Sequence, residues 1–496
     1  MGFFIALDQG TTSSRAIIYN ETAEIVATSQ KEIQQSYPAP GWVEHDPVEI
    51  WESQAEVCRA VMHKAGLSPD DLLAVGITNQ RETTILWERR TGRPIAPAIV
   101  WQDRRTAERC QELRDGPEGA EIAQRTGLVV DAYFSATKLE WLLKNIDGAR
   151  AAAERGDLAF GTVDSWLLYW LTGKSKHMTD SSNASRTMLY NIHEQRWDDY
   201  LLELFGVPAS ILPEVKGSAE VYAEATGLDC LAGVPLAAVA GDQQAAMVGQ
   251  LCVRPGVVKS TYGTGCFLLT STGAEVQDSK NRLLSTVAWS FRNQVHYALE
   301  GGVFVGGALV QWLRDGLGVI EEAAEVEALA AQEDSSGGVV VVPALAGLGA
   351  PYWDPDARGT IYGITRGTNR AHIARASLDG IAHQVVDLVE ALERDAQTPI
   401  SELRVDGGAA ANDLLMQIQA DLLQLPVVRP MNLETTSLGV VFLAGLGIGH
   451  WAAFSELDEF WKRDRVFEPQ LKLSEAQLQR ATWVEAVERC RGWRRI

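Results

Sequence analysis

Two short runs of small and hydroxyl-bearing residues carry the first chemical signal. Asp8-Gln9-Gly10-Thr11-Thr12-Ser13 joins two apolar segments, and Thr261-Tyr262-Gly263-Thr264-Gly265 does the same in the second half of the chain. Glycine lets a backbone approach an anion closely, hydroxyls donate to it, and successive N–H groups form an anion nest. An aspartate at the end of the first strand could hold the Mg²⁺ that neutralises a nucleotide's phosphates. Either run alone reads equally well as a plain hairpin turn closed by hydroxyls. Two of them fit a phosphate clamped between two walls.

Three further constellations have a chemical and a structural reading each. Gly241-Asp242-Gln243-Gln244 follows the apolar run Val234–Ala240, which places Asp242 for general-base work, for metal binding, or for capping a helix. Asn79-Gln80-Arg81-Glu82-Thr83 follows the strand expected at Leu72–Ile77; it suits hydrogen bonding to a polyol, or an exposed salt-bridging turn. Gly407-Gly408-Ala409-Ala410-Ala411-Asn412 leads from a strand into a helix expected over 413–425, with glycine backbone to lay against a base or ribose, or with Asn412 as the helix cap. Gly173-Lys174-Ser175 is not a P-loop, because Leu168 stands where the earlier glycine belongs. There is no HExxH or GxSxG, and the histidines lack ligand spacing, so neither a structural zinc site nor a serine hydrolase is expected.

The elements that must position these residues alternate between short apolar strands and longer amphipathic helices, the pattern of an α/β fold. Strands are expected at Phe3–Leu7, Arg15–Tyr19, Glu24–Thr28, Leu72–Ile77, Thr83–Trp87, Val257–Ser260, Phe267–Thr270, His296–Leu299, Val339–Val342 and Leu403–Val405. The clearest helix spans Pro47–Ala65, with Asp46 as N-cap, Glu49 completing a capping box and Gly66 ending it. A second spans His372–Leu392. The Gly/Pro-rich stretches 231–241, 337–351 and 439–449 read as tight loops. ALDQGTTSSRAII (6–18) and KSTYGTGCFLLT (259–270) both read strand, Gly-Thr turn, strand. One such hairpin opening each half suits two similar domains facing each other across a cleft, divided near residue 250.

Composition limits the partners. Lys and Arg total 44 against 65 Asp and Glu, a formal net charge of −21, which repels nucleic acid and anionic membrane surfaces. A phosphate-bearing substrate therefore needs local devices: backbone N–H groups, a few arginines, or a metal. No run reaches the roughly 20 apolar residues of a membrane span. MGFFIALDQG lacks the basic opening of a signal peptide, and the six scattered cysteines form no CxxC pair, so a reducing, cytoplasmic setting is expected.

At these residues the chain resembles the FGGY family of sugar and polyol kinases, within the actin/hexokinase/chaperone ATPase fold. The resemblance runs over nearly the whole length. It includes ALDQGTTSSR (6–15), YPAPGWVEHDP (37–47), GITNQRETT (76–84), AIVWQDRRTAE (98–108), SSNASRTMLYNIH (181–193), AGDQQAA (240–246), TYGTGCF (261–267) and LRVDGGAAAN (403–412). Two family-wide signatures match at 133–145 and 359–379. GWVEHDP, NQRETT and the Trp101 segment are similar to the members that act on glycerol.

The resemblance implies two similar α/β domains flanking a catalytic cleft: residues 1–250 on the glycerol and phosphate side, 251–496 on the nucleotide side. It implies ATP-dependent phosphorylation of glycerol to sn-glycerol 3-phosphate. Carried over by position, Thr11, Thr12, Ser13 and Arg15 are phosphate-side contacts; Thr264, Gly307, Gln311, Gly408 and Asn412 contact the nucleotide. Arg81, Glu82, Tyr133, Asp242 and Gln243 bind glycerol, and Trp101 and Phe267 pack on its carbons. Asp242 is the implied base, and Asp8 with Asp242 orients Mg²⁺. A kinase of another polyol or ketopentose, or a non-catalytic actin- or chaperone-like nucleotide binder, are the alternatives. A homo-oligomer, dimer or tetramer, is compatible with this reading. In some family members an arginine-bearing glycine-rich loop before AGDQQ binds a sugar bisphosphate; here residues 226–233 hold no basic residue and include Asp229.

Overall fold

A computed structural model describes residues 2–493. Its frame is one sheet of 13 strands. In chain order these are β1 (Phe3–Gln9), β2 (Ser13–Asn20), β3 (Ile25–Glu32), β4 (Leu72–Asn79), β5 (Ala219–Glu224), β6 (Pro235–Gly241), β7 (Val257–Tyr262), β8 (Cys266–Gly273), β9 (Leu284–Phe291), β10 (Gln294–Val303), β11 (Glu402–Asp406), β12 (Val427–Pro430) and β13 (Arg463–Phe467). Across the sheet they run β13-β12-β11-β7-β8-β10-β9-β5-β6-β4-β1-β2-β3.

The order contains the same five-strand motif twice. In β3-β2-β1-β4-β6, two antiparallel hairpins are followed by two strands parallel to the first. In β10-β8-β7-β11-β12 the arrangement repeats. The Gly-Thr echo of the sequence is thus the turn of the opening hairpin in each repeat. The two repeats meet where β5 pairs with β9 through Ala219 and Phe291.

The helices that position the site are α1 (Pro47–Ala65), α2 (Ser135–Asn145), α3 (Asp242–Gly249), α4 (Gly307–Asp315), α5 (Arg370–Ala396), α6 (Asp413–Leu423), α7 (Thr435–Gly447) and α8 (Leu473–Cys490). α1 has the expected bounds. Asp46 accepts from the Val48 N–H and Gly66 takes the left-handed conformation that closes the last turn. The expected capping box does not form, because Glu49 accepts instead from the backbone N–H of Gln34, 3.2 Å away.

Two of the stretches expected as loops are core elements. Pro235–Gly241 is the central strand β6, with proline at its first position where no ladder donor is lost. Thr435–Gly447 is α7, buried along most of its length. Its glycines are there for contact: a Cβ on Gly439 would collide with the Ala245 carbonyl, and one on Gly76 of β4 would lie 2.6 Å from the Val440 carbonyl oxygen. Small residues let α7 press against α3 and the sheet, and that close approach outweighs the helix propensity they lack. Of the three, only 337–351 keeps a mainly irregular course, around the short strand Val340–Val342. All six cysteines are free, and only Cys230 is even partly exposed. Among the described residues no helix is long and apolar enough to cross a membrane.

Candidate active site

β1, β4 and β6 are neighbours and parallel, so their carboxyl ends open on one edge of the sheet. Asp8 pairs with Thr78, and Gln9 and Gly241 both pair with Asn79. The segments beginning at Asp8, Asn79 and Asp242 therefore converge, as ligand-binding loops do at the strand ends of open α/β sheets. Gly241 makes the convergence possible: a Cβ there would stand 2.6 Å from Arg81 Cδ.

Arg81 is the centre of the cluster. Its Nε lies 3.3 Å from Asp242 Oδ1, and its Nη1 and Nη2 donate to the two carboxylate oxygens of Glu300 at 2.6 and 2.9 Å. Nη1 also donates to Gln244 Oε1 (3.1 Å) and Nη2 to the Tyr133 hydroxyl (3.3 Å). Glu82 is buried and accepts from Arg186 Nε at 2.6 Å; Arg186 Nη2 donates to Glu300 at 3.0 Å. Residues 79–83 are therefore not an exposed salt-bridging turn but a buried one, and Glu82 holds φ +61°, a conformation that costs energy for a non-glycine residue and tends to survive at functional sites.

Asp242 is the first residue of α3, and its carboxylate accepts from the Gln243 N–H at 2.7 Å. A third of its side chain stays open to the cleft (32%) while Arg81 beside it is sealed (2%). The depth of the cleft floor raises its carboxyl above the ordinary value, against the pull of Arg81 and Lys259. Gln243 accepts from Lys259 Nζ, 2.5 Å away on β7. Burial lowers that lysine, opposed by Asp406 and Asp242.

Aromatic rings close one side. Trp101 meets Tyr133 edge-on at 5.5 Å between centroids and Phe267 at 6.5 Å. The Trp101 indole N–H donates to Thr11 Oγ1 at 2.9 Å, so the first hairpin turn also fixes the aromatic wall. Arg81, Glu82, Trp101, Tyr133, Asp242, Gln243 and Phe267 thus come together as expected.

The phosphate-side residues are placed unequally. Thr11 and Thr12 occupy the β1–β2 turn and Ser13 opens β2; Thr12 is exposed and the other two partly so. Arg15 does not stand free beside them: it is held between Asp8 (2.9 Å) and Glu434 (2.7 Å), the residue that precedes α7. Burial pushes Asp8 up to about 6, with Arg15 pulling it down and Asp242 and Glu434 pushing it further up.

In the second half, Thr264 and Gly307 are tied together. Gly307 donates to the Gly263 carbonyl (2.8 Å) and Gly306 to that of Thr264 (2.8 Å), which docks the start of α4, and with it Gln311, on the second hairpin turn. Gly407, at φ +86°, packs on the Tyr262 backbone and leaves Gly408 facing open space. Asn412 caps α6, accepting from the Leu415 N–H at 2.8 Å.

Four residues of the cluster lay outside the sequence reading: Lys138, Arg186, Lys259 and Glu300. Lys138 and Arg186 sit in stretches whose resemblance was visible, but their partners are set by the fold. Lys138 donates to the carbonyls of Ala132, Tyr133 and Phe134 at 2.7, 2.6 and 3.0 Å, fixing the segment that carries Tyr133; burial lowers it to about 8.

No three His, Cys, Asp or Glu side chains gather as a metal cage among the described residues. Asp242 nevertheless stands near enough to Asp8 for its charge to help push the Asp8 carboxyl up.

A partly exposed carboxylate beside a fixed guanidinium, with a glycine-threonine turn opening each repeat of the sheet, suits a kinase for a small hydroxylated acceptor. Comparison with known proteins agrees. The models of the FGGY family of carbohydrate kinases match residues 3–249 (N-terminal domain) and 258–448 (C-terminal domain). The chain belongs to that family. It is 58% identical to a glycerol kinase of Aromatoleum aromaticum and 54% identical to glycerol kinase 2 of Thermotoga maritima, in each case over 99% of both chains. Among solved structures it superposes on Plasmodium falciparum glycerol kinase with ADP at a TM-score of 0.92 and 34% identity, covering 99% of this chain and 98% of that one. A xylulose kinase from Lactobacillus acidophilus shares the fold at a TM-score of 0.88 and 22% identity.

Proposed function

We propose that the protein is an ATP:glycerol 3-phosphotransferase, forming sn-glycerol 3-phosphate and ADP. The observation that carries this reading is the convergence of Arg81, Glu82 and Asp242 beside the Trp101, Tyr133 and Phe267 rings, with Arg81 and Glu82 buried and Asp242 partly exposed. Glycerol kinases at 54–58% identity over the full length support it.

In this reading Asp242 accepts the proton of one terminal hydroxyl of glycerol. The freed oxygen attacks the γ-phosphorus of ATP, the bond to the β-phosphate oxygen breaks, and ADP leaves. Arg81, Glu82 and Tyr133 hold the other two hydroxyls, and the rings cover the carbons. Thr11, Thr12 and Ser13 face the phosphates from one wall; Thr264, Gly307, Gln311 and Gly408 meet the nucleotide from the other. Arg15 orients Asp8 rather than binding phosphate, since both its contacts are carboxylates. Asp8 and Asp242 would hold Mg²⁺, which supplies charge neutralisation on the phosphates. Positioning and exclusion of water provide most of the acceleration. We place the division between the domains near residue 250, between α3 and β7, and the enzyme in the cytoplasm, where six unpaired thiols persist.

The test is a kcat/KM panel at saturating Mg-ATP, read as ADP release. A site built to bond each hydroxyl rejects analogues lacking one by up to about 10⁴–10⁵-fold. Glycerol is expected to exceed 1,2- and 1,3-propanediol by orders of magnitude, dihydroxyacetone to retain some turnover, and xylulose, ribulose and gluconate to be poor. A pentulose or gluconate that outruns glycerol overturns the glycerol assignment and leaves the family-level kinase.

A further inference from the structure

Arg81 faces two carboxylates with opposite consequences. On one side Glu300 of β10, 2% exposed, takes both its η nitrogens at 2.6 and 2.9 Å. On the other, Asp242 Oδ1 lies 3.3 Å from Nε. Glu300 comes from 219 residues further along the chain and from the other repeat of the sheet. It also accepts from Arg186 Nη2 at 3.0 Å, and Arg186 is itself anchored to Glu82. Both guanidinium groups pull Glu300 down to about 2 despite its burial, so it stays ionised throughout the working range.

A guanidinium is a planar fork, and a carboxylate bonded to both η nitrogens fixes its plane. With that plane fixed, only Nε points toward Asp242. Without it, the nearest carboxylates left to Arg81 are Asp242 at 3.3 Å and Glu82 at 3.8 Å. Glu82 is already occupied by Arg186, so the freed fork would turn onto Asp242. A two-pronged pair there takes up the lone pairs that the acceptor hydroxyl needs for its proton.

We propose that Glu300 is a positioning residue: it holds Arg81 off Asp242, keeping the base open to substrate. The proposal rests on the reading of Asp242 as the base for a hydroxyl acceptor. It gives the second repeat of the sheet a direct part in shaping the acceptor pocket.

The test compares the full-length wild type, E300Q, E300D, D242N and the double variant E300Q/D242N, with glycerol and Mg-ATP. A misplacement of about 1 Å near the reacting atoms costs on the order of 10²-fold. E300Q is expected to lose about that factor in kcat/KM for glycerol while its KM for ATP stays within about threefold. E300D keeps the charge with a shorter reach and is expected between wild type and E300Q. In the D242N background, with no base left to free, E300Q is expected to cost no more than about threefold further. Wild-type glycerol turnover in E300Q or E300D, a parallel loss of ATP binding, or losses that multiply in the double variant each overturn the proposal. Should E300Q not fold, E300D alone decides, since unchanged kcat/KM there is incompatible with a fixed fork. Failure of the wild type itself to phosphorylate glycerol would instead refute the function on which the proposal stands.

Discussion

Replacing Asp242 with asparagine separates what the carboxylate does for catalysis from what it does for the fold. The substitution keeps size and shape, and the amide oxygen can still accept from the Gln243 N–H and face Arg81 Nε. What is lost is the proposed proton acceptor. A positioned general base contributes about 10²–10⁴-fold, equivalent to ~3–5 kcal/mol of barrier. The fold responds in the opposite sense. Burial at the cleft floor raises the Asp242 carboxyl more than Arg81 and Lys259 lower it, so the ionised form is disfavoured in the native state. A carboxyl raised by folding contributes stability below its ordinary pKa and loses it as pH rises through the native value. At neutral pH, D242N is therefore expected to melt higher than wild type while kcat falls by 10²–10⁴-fold. Arg81 keeps Glu300 as partner, so the substitution leaves no unpaired buried cation. Paired assays decide: coupled ADP release for turnover, thermal melting at pH 7.5 for stability, and ATP titration to show that the nucleotide still binds. Turnover within tenfold of wild type removes Asp242 from the chemistry, and a melting point several degrees lower refutes the electrostatic account.

Asp8 is raised to about 6 by burial, so its contribution to stability is complete below the ordinary 3.8 and lost as pH rises through 6. Asp8→Asn should therefore gain melting temperature relative to wild type between about pH 5 and pH 7.5, while turnover falls at least tenfold at both; a difference that does not change with pH counts against this. Gly439→Ala puts a methyl against the Ala245 carbonyl at the crossing of α7 and α3, and overpacking of that kind costs about 1–3 kcal/mol, visible in urea unfolding. An unchanged midpoint would mean that the crossing is loose. Millimolar fructose bisphosphate should leave the rate unaltered, because residues 226–233 offer an anion no Arg or Lys. Strong inhibition that mutation of this loop abolishes would show otherwise.

Local signals made most of the fold legible. β1, β4, β7 and α1 each combine a clear period with a turn or cap at the end, and they stand within a residue or two of where the sequence puts them. The failures share one cause. Pro235, Gly241, Gly439 and Gly445 read as loop formers when only the next few residues are weighed. In the fold, Gly241 makes room for Arg81, Gly439 for the Ala245 carbonyl and Gly445 for the Trp451 ring. A small residue demanded by close packing and one demanded by a turn look alike until the neighbour is known.

The same limit divides the site. Residue types announced it: a glycine-threonine turn in each half, an aspartate after a buried run, and an Arg-Glu pair after a strand. The expectation that residues 79–83 form an exposed salt-bridging turn, weighed beside the polyol reading, fails because their counterions come from 104 and 219 residues away. Charges that repay their desolvation only through such distant partners carry no local signature. Arg15 makes the point from the other direction. By position it belongs beside a phosphate, yet Glu434, 419 residues on, holds it to Asp8. Asp8, Arg15 and Glu434 thus link the first hairpin to the start of α7, and Arg81 and Glu300 link the acceptor loop to β10. Both ties run from the first half of the chain to the second. The groups that we place nearest the chemistry are therefore tied to the opposite half of the molecule, so a change in how the halves meet would reach Asp8 and Asp242 without altering either residue.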